Sequence, residues 1–156
     1  MPPNRIRGIP GASRTVTLLI PNIDDELREA MTHMLLKAMQ EGVVVVERPL
    51  RVRDDLELLS LAESMSWDVL ILLLNNIVYT DGERSAAGIT NSALRFLHTF
   101  KKRFSKPVIA FYGHQSTVLS HEYVKAGALV CLQLAGCKIA DFVDAIHLAA
   151  RNTGQG

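Results

Sequence analysis

Val69-Leu70-Ile71-Leu72-Leu73-Leu74 is the stretch of sequence that decides the fold. Every residue in it is apolar, so it lacks the alternation of apolar and polar side chains found in a strand with one face in water. It is also far too short to cross a bilayer as a helix. The run predicts a central strand of a parallel sheet that is covered by helices on both faces.

Further apolar runs flank this strand on both sides, and helical patterns separate them. Strands that alternate with helices at this spacing imply right-handed crossovers, and therefore a parallel sheet between two layers of helices. The sequence thus predicts one doubly wound, five-stranded α/β domain. The other predicted strands cover residues 15–20, 43–46, 107–111 and 129–134.

Each predicted helix has apolar residues at steps of three and four, which gives it one face to bury. The first helix is the clearest, because Asp24 and Asp25 suit its positive N-terminal end and Gly42 ends it. A short fourth helix is predicted over residues 117–125. The residues predicted to face the core are Leu27, Ala30, Met31, Met34, Leu35, Ala38 and Met39 in the first helix, Leu56, Leu59 and Ala62 in the second, Ile89, Ala93, Leu97, Phe100 and Phe104 in the third, and Ile139, Phe142, Val143 and Ile146 in the last.

Composition and charge restrict the classes of function. A chain of 156 residues is the size of one domain. Its formal net charge of +1 gives no reason to expect nucleic acid or an anionic membrane as the partner. The two cysteines leave a disulfide open on count alone, but Cys131 lies within an apolar run, which favours a small buried side chain. We therefore expect a cytoplasmic protein.

The two ends of the chain carry no periodic pattern. Residues 1–13 are rich in Pro, Gly and Arg and have no apolar core of the kind found in a signal peptide. We predict a flexible N-terminal arm over residues 1–13, a folded domain over 14–151 and a disordered tail over 152–156.

Three short strings occur in the same order as in a known family. They are Trp67-Asp68-Val69-Leu70 at the third strand, Pro107-Val108-Ile109 at the fourth, and Lys125-Ala126-Gly127-Ala128 before the fifth. Together with the alternating strands and helices they resemble the receiver domain of response regulators, over residues 15–151. The resemblance implies a flavodoxin-like strand order, 2-1-3-4-5, with the functional site at the carboxyl ends of the strands.

The resemblance also indicates where a receiver would carry its phosphorylation site. Two acidic residues after the first strand would hold Mg²⁺, and an Asp at the end of the third strand would accept the phosphoryl group. The acidic pair falls on Pro21 and Asn22. The acceptor falls on Leu73 when the alignment is anchored on Asp68, or on Leu74 when it is anchored on residues 81–82.

The remaining positions of that site are replaced as well. The small hydroxyl residue that ends the fourth strand falls on Tyr112, and the lysine that ends the fifth falls on Leu134. Asp24 and Asp25 lie too late to restore the metal site, and their charge is explained by the helix N-terminus. The resemblance therefore implies a pseudo-receiver that keeps the scaffold and lacks the phosphoacceptor, with no metal ion and no cofactor.

The function expected from this pattern is a regulatory or adaptor module rather than an enzyme. Such a module would act in signalling through contact with other proteins. The resemblance implies that its dimer or partner surface is formed by the fourth helix, the fifth strand and the fifth helix. A basic arm that docks on an acidic partner through Arg5, Arg7 and Arg14 is a further possibility.

The alternative function is a small-molecule binding domain or an enzyme that uses the loops at the strand ends. Doubly wound folds bind ligands there. No cobalamin-type or flavodoxin-type loop follows the first strand, and no pair of histidines has metal-ligand spacing. Ser116 or Thr117 would bind an anion at a helix N-terminus or simply cap that helix. The candidate ligand-binding residues are Asn22, Asn75, Asn76, Tyr112 and His114.

Overall fold

A computed structural model describes residues 15–80, 86–112, 119–133 and 137–153 of the chain. Strands and helices alternate throughout these residues, beginning with a strand and ending with a helix. The strands are β1 (Thr15–Pro21), β2 (Val44–Leu50), β3 (Val69–Leu73), β4 (Val108–Tyr112) and β5 (Val130–Gln133). The helices are α1 (Asp25–Gln40), α2 (Asp55–Ser64), α3 (Ala86–Arg103), α4 (Leu119–Ala126) and α5 (Ile139–Thr153).

The strands form one parallel sheet in the order β2-β1-β3-β4-β5. This confirms the doubly wound α/β fold and the strand order that were expected. β3 lies at the centre, where Leu18 of β1 faces Val69 and Ile109 of β4 faces Ile71. Because every residue of β3 is buried, the unbroken apolar run is explained by helices on both faces.

Two separate cores lie on the two faces of the sheet. Successive residues of β3 point to opposite faces, so Leu70 and Leu72 enter one core and Ile71 and Leu73 the other. The first core lies under α2, α3 and α4 and contains the fully buried ring of Phe100. The second lies under α1 and α5. The sheet is therefore covered as a doubly wound fold requires.

Some of the predicted core positions are wrong. Asp54 caps α2, so Leu56 falls in its first turn, 58% exposed, while Leu58 is buried instead. Ile139 is the first residue of α5 and is 52% exposed. Helical spacing alone does not show where a helix begins relative to the sheet. In α1, where only part of the predicted stripe is covered, Ala30 and Met39 are exposed as well.

The ends of several elements also differ from the prediction. β2 continues beyond Val46 to Leu50, because an edge strand needs no unbroken apolar run and tolerates Pro49. Cys131 and Cys137 are free thiols, and Cys131 is only half-buried, because β5 forms the other edge. The helix α5 continues to Thr153, so residues 152–153 of the predicted tail are helical. The predicted arm, 1–13, and residues 154–156 lie outside the described residues.

No helix in the described ranges is both long enough and apolar enough to span a membrane.

Candidate functional site

The carboxyl edge of the sheet is held together by Asn22, which directly follows β1. Asn22 has a positive φ of 56°, a conformation that Asn tolerates better than most residues. Its backbone N–H donates to the carbonyl of Leu50 at 2.7 Å. Its side-chain Oδ1 accepts from the N–H of Val52 at 2.9 Å, and its Nδ2 donates to the carbonyl of Val52 at 3.1 Å. Asn22 therefore joins the end of β1 to the segment that follows β2.

Asn76 connects this network to the segment after β3. The Asn22 Nδ2 also donates to the carbonyl of Asn76 at 3.1 Å, and the Asn76 Nδ2 donates to the carbonyl of Asn22 at 3.0 Å. The two side chains thus bridge the same pair of segments in both directions. Both amide hydrogens of Asn22 are used, so this side chain serves the backbone of its own chain.

The two candidate positions for a phosphoacceptor are buried in apolar surroundings. Leu73 and Leu74 are each 2% exposed. Leu73 belongs to the core under α1 and α5, and Leu74 belongs to the core on the opposite face. Neither side chain offers an oxygen atom to the carboxyl edge of the sheet. The backbone of Asn75 lies in the short 3₁₀ turn that follows β3.

The residues next to Pro21 and Asn22, where a receiver would have its acidic pair, are buried apolar residues or belong to the N-terminus of α1. Pro21 is buried at the end of β1, and Ile23 is buried next to it. The Asp24 carboxylate accepts a hydrogen bond from the N–H of Leu27 at 2.7 Å, so Asp24 is the N-cap of α1. Asp25 is the first residue of that helix. This confirms that these acidic residues belong to the helix N-terminus.

Tyr112 ends β4 and packs into the same core as Leu74. It is 9% exposed and lies opposite Gln133 of β5. Loss of hydration raises the pKa of Tyr112, and the neighbouring Cys131 thiol adds to this effect. The phenol is therefore neutral near pH 7. Leu134 and the loop residues His114, Ser116 and Thr117 lie outside the described residues.

A second polar group lies beneath this edge and was missed by the sequence interpretation. The Tyr79 hydroxyl donates to the carbonyl of Leu74 at 2.8 Å. Asp55 accepts from the N–H of Thr80 at 3.0 Å, and its own N–H donates to the carbonyl of Val78 at 2.9 Å. Burial raises the pKa of Tyr79, with smaller contributions from Tyr123 and Asp55. The sequence feature that could have pointed to this group is the adjacent pair Asp54-Asp55, although two acidic residues together are also typical of a helix start.

Two surface cavities flank the sheet, and the first adjoins the Asn22 network, because Ile23 and Leu50 line it. One of about 240 Å³ lies beside α1 and the end of β2 and carries two guanidinium groups, those of Arg28 and Arg51. The other, of about 390 Å³, lies at the amino ends of β4 and β5 and includes Lys101 and Asn152. The Lys101 Nζ donates to the carbonyl of Lys106 at 2.7 Å, and burial lowers the pKa of Lys101. In the part of the chain that the structure describes, no group of three or more His, Cys, Asp or Glu residues could hold a metal ion.

Solved structures with the same arrangement come from bacterial signalling proteins. The receiver domain of Francisella response regulator 1452 is 18% identical, with a TM-score of 0.55 and coverage of 88% of this chain and 98% of that one. A two-component response regulator of the LuxR family from Aurantimonas is 17% identical, with a TM-score of 0.58 and coverage of 88% and 86%. A response regulator from Thermotoga maritima is 14% identical, with a TM-score of 0.60 and coverage of 88% and 98%.

Comparison of the whole sequence with known families and proteins found no match. No protein-family model matches it, and no curated protein matches it either. At these levels of identity the structural likeness establishes the fold and nothing more. The chain has the five-stranded, parallel α/β fold of response-regulator receiver domains.

Proposed function

We propose that this chain is a regulatory or adaptor module of the receiver type that is not phosphorylated and that acts by binding other proteins. The observation that supports the proposal is the Asn22 network. An amide stands at a position that the receiver resemblance assigns to the acidic pair, and its donors are taken up by Val52 and Asn76. The acceptor positions Leu73 and Leu74 are buried leucines. None of these positions has a carboxylate that could hold Mg²⁺ or accept a phosphoryl group.

A phosphodonor assay tests the negative half of this proposal. The intact chain is incubated with acetyl phosphate and Mg²⁺, and its mass is measured. A phosphorylatable receiver treated in parallel is the control. We expect no added phosphoryl group, and no Mg²⁺-dependent change in the fluorescence of Trp67, the single tryptophan, on addition of beryllofluoride. A stoichiometric adduct would refute the proposal.

For the positive half, we propose that the face formed by α4, β5 and α5 is the surface for a partner or for a dimer. Val124 of α4 is 46% exposed and Ile139 of α5 is 52% exposed. All four residues of β5 are half-buried, so this edge strand carries uncovered apolar surface between the two helices. Exposed apolar side chains on neighbouring elements favour contact with another protein.

Paired surface variants test this face. Val124→Asp and Ile139→Asp place a charge in the proposed surface, and Leu56→Asp places the same charge at an equally exposed position on α2. The full chain is used to capture proteins from its native cells, and the captured set is compared between variants. We expect the first two variants to lose a protein that the wild type and Leu56→Asp retain. Equal capture by all three variants would remove this face from the proposal.

A small-molecule site at the same edge has less support. The side chain of Asn22 is engaged with the backbone, and the side chain of Asn76 donates to the backbone carbonyl of Asn22. Tyr112 packs into the core with Leu74, which narrows any crevice between them. We also propose that the module works in the cytoplasm, where its two free thiols would stay reduced.

A further inference from the structure

The cavity at the amino ends of β4 and β5 lies at the opposite end of the sheet from the Asn22 network. Its volume of about 390 Å³ falls within the range of small-molecule pockets in proteins, roughly 300–1,000 Å³. One wall is apolar and consists of Pro107, Ala128 and Leu129. Pro107 and Ala128 are buried and Leu129 is half-buried, so this wall is a fixed part of the fold.

The cavity also contains a half-buried lysine that has no counter-ion. The Lys101 ammonium donates to the carbonyl of Lys106 at 2.7 Å, which uses one of its three N–H groups. Within the described residues it forms no ion pair with a carboxylate. Burial lowers the pKa of Lys101, because the charged form loses hydration. Lysine side chains that leave water are usually paired with an opposite charge, so the partner of this ammonium is missing.

The position of Lys101 in the last turn of α3 does not explain its burial. Basic residues suit the negative end of a helix, and this is sufficient for Lys102 and Arg103, whose side chains are exposed. Lys101 instead packs its aliphatic part against Gly127, where an added Cβ would lie 2.3 Å from the Lys101 Cγ. The glycine therefore makes room for the lysine beside the cavity.

Two neutral polar side chains accompany the ammonium. Ser105 and Asn152 also line the cavity, and both are exposed to solvent. A hydroxyl group and an amide group can each donate a hydrogen bond. Neither side chain has a hydrogen-bond partner in the part of the chain that the structure describes. None of the residues that line the cavity is acidic, so its polar side is one of donors with a single positive charge.

We propose that this cavity binds a small organic acid, with its carboxylate on the Lys101 ammonium and its hydrocarbon part against Pro107, Ala128 and Leu129. A carboxylate is a monoanion with acceptor oxygens only, so it matches one ammonium and two neutral donors. The apolar wall gives the rest of such a molecule a surface on which to lose water. The inference is independent of the function proposed above.

A phosphate group fits the same cavity less well. Phosphate sites in proteins commonly use arginine or the N-terminus of a helix. No arginine lines this cavity, and the helix ends beside it are the C-termini of α3 and α5, which disfavour additional negative charge. A single ammonium would also leave the second charge of a phosphate dianion without a partner.

Titration of the full, ¹⁵N-labelled chain with benzoate tests the site. We expect the amide signals of Gly127, Ala128 and Asn152 to shift progressively until they saturate. Benzamide has the same ring without the charge and is the matched probe. It should bind about 10–100-fold more weakly, which is the range for the loss of a hydrogen bond to a charged group. Inorganic phosphate, added in a third titration, should bind more weakly than benzoate.

Two variants assign the binding to the ammonium. Lys101→Met keeps an unbranched side chain against Gly127 and removes the charge, so its affinity for benzoate should fall by the same factor. Lys102→Met removes a charge from the neighbouring, exposed position and should bind benzoate as the wild type does. Circular dichroism establishes that both variants are folded. In the wild type, bound benzoate should raise the pKa of Lys101, followed by the ¹³Cε signal of that residue, because a nearby anion favours the ammonium.

Several results would overturn the proposal. One is the absence of saturable shifts at the cavity with benzoate, and another is equal affinity for benzoate and benzamide. Equal or tighter binding of inorganic phosphate would rule out an organic acid as the ligand class. Unchanged affinity in a folded Lys101→Met, or an unchanged pKa of Lys101 in the presence of benzoate, would show that the ammonium does not hold the carboxylate. None of these outcomes depends on whether the chain accepts a phosphoryl group.

Discussion

Replacing Asn22 with alanine removes three side-chain hydrogen bonds from the carboxyl edge of the sheet. Each such bond contributes about 0.5–1.5 kcal/mol to the free energy of unfolding. Alanine must also adopt the φ of 56°, which costs a residue with an ordinary Cβ about 1–2 kcal/mol. The expected loss is therefore about 3–6 kcal/mol, a large part of the stability of a domain of this size.

Glycine at the same position separates the two contributions. Asn22→Gly loses the same three hydrogen bonds but adopts the positive φ without strain. We therefore expect Asn22→Gly to be more stable than Asn22→Ala by about 1–2 kcal/mol. Asn22→Asp keeps an oxygen that accepts from the N–H of Val52. Its second carboxylate oxygen would face the carbonyl oxygens of Val52 and Asn76, to which the Asn22 Nδ2 donates. It should lose stability without any change in backbone strain.

Urea denaturation provides the measurement. Trp67 is 2% exposed and is the single tryptophan, so its fluorescence reports the loss of the core, and far-ultraviolet circular dichroism follows the helices. Coincident transitions from the two probes would justify a two-state analysis. A loss of less than about 1 kcal/mol in Asn22→Ala would contradict the hydrogen-bond argument. Equal stability of the alanine and glycine variants would contradict the strain argument.

Three further predictions concern positions away from this edge. Gly127→Ala should lower the melting temperature, because a Cβ there would lie 2.3 Å from the Lys101 Cγ at a φ of +131°; an unchanged melting temperature would contradict this packing. Burial raises the pKa of Cys131 to about 12, so the folded protein holds that proton more tightly than the unfolded chain. The free energy of unfolding should fall as pH rises from 9.0 toward 12, and urea titrations should show a smaller fall in Cys131→Ala than in Cys137→Ala. Trp67→Phe removes an indole hydrogen bond of 3.0 Å and should cost about 1–3 kcal/mol in urea denaturation followed by circular dichroism alone, because the variant has no tryptophan; a neutral result would show that this bond contributes nothing.

The sequence by itself determined which segments become strands and helices, and that the sheet is parallel. The run from Val69 to Leu74 is apolar at every position because both faces of β3 are covered, and that condition is visible in composition alone. The strand order came from the resemblance to receivers and is confirmed. Periodicity is a local property, so it places an element on the chain without showing how deeply each residue is covered.

Only the tertiary structure decided which residues are hydrogen-bonded at the carboxyl ends of the strands and which residues are exposed on the helices and on the outer strand β2. The contacts of Asn22 reach Val52 and Asn76, 30 and 54 residues away, and no local pattern encodes a hydrogen bond at such separations. Leu56 and Ile139 fit helical spacing and are nevertheless exposed, because the position of a helix relative to the sheet depends on its neighbours. The length of β2 and its outward-facing valines have the same origin, since a strand becomes an edge strand only through the partners that it lacks.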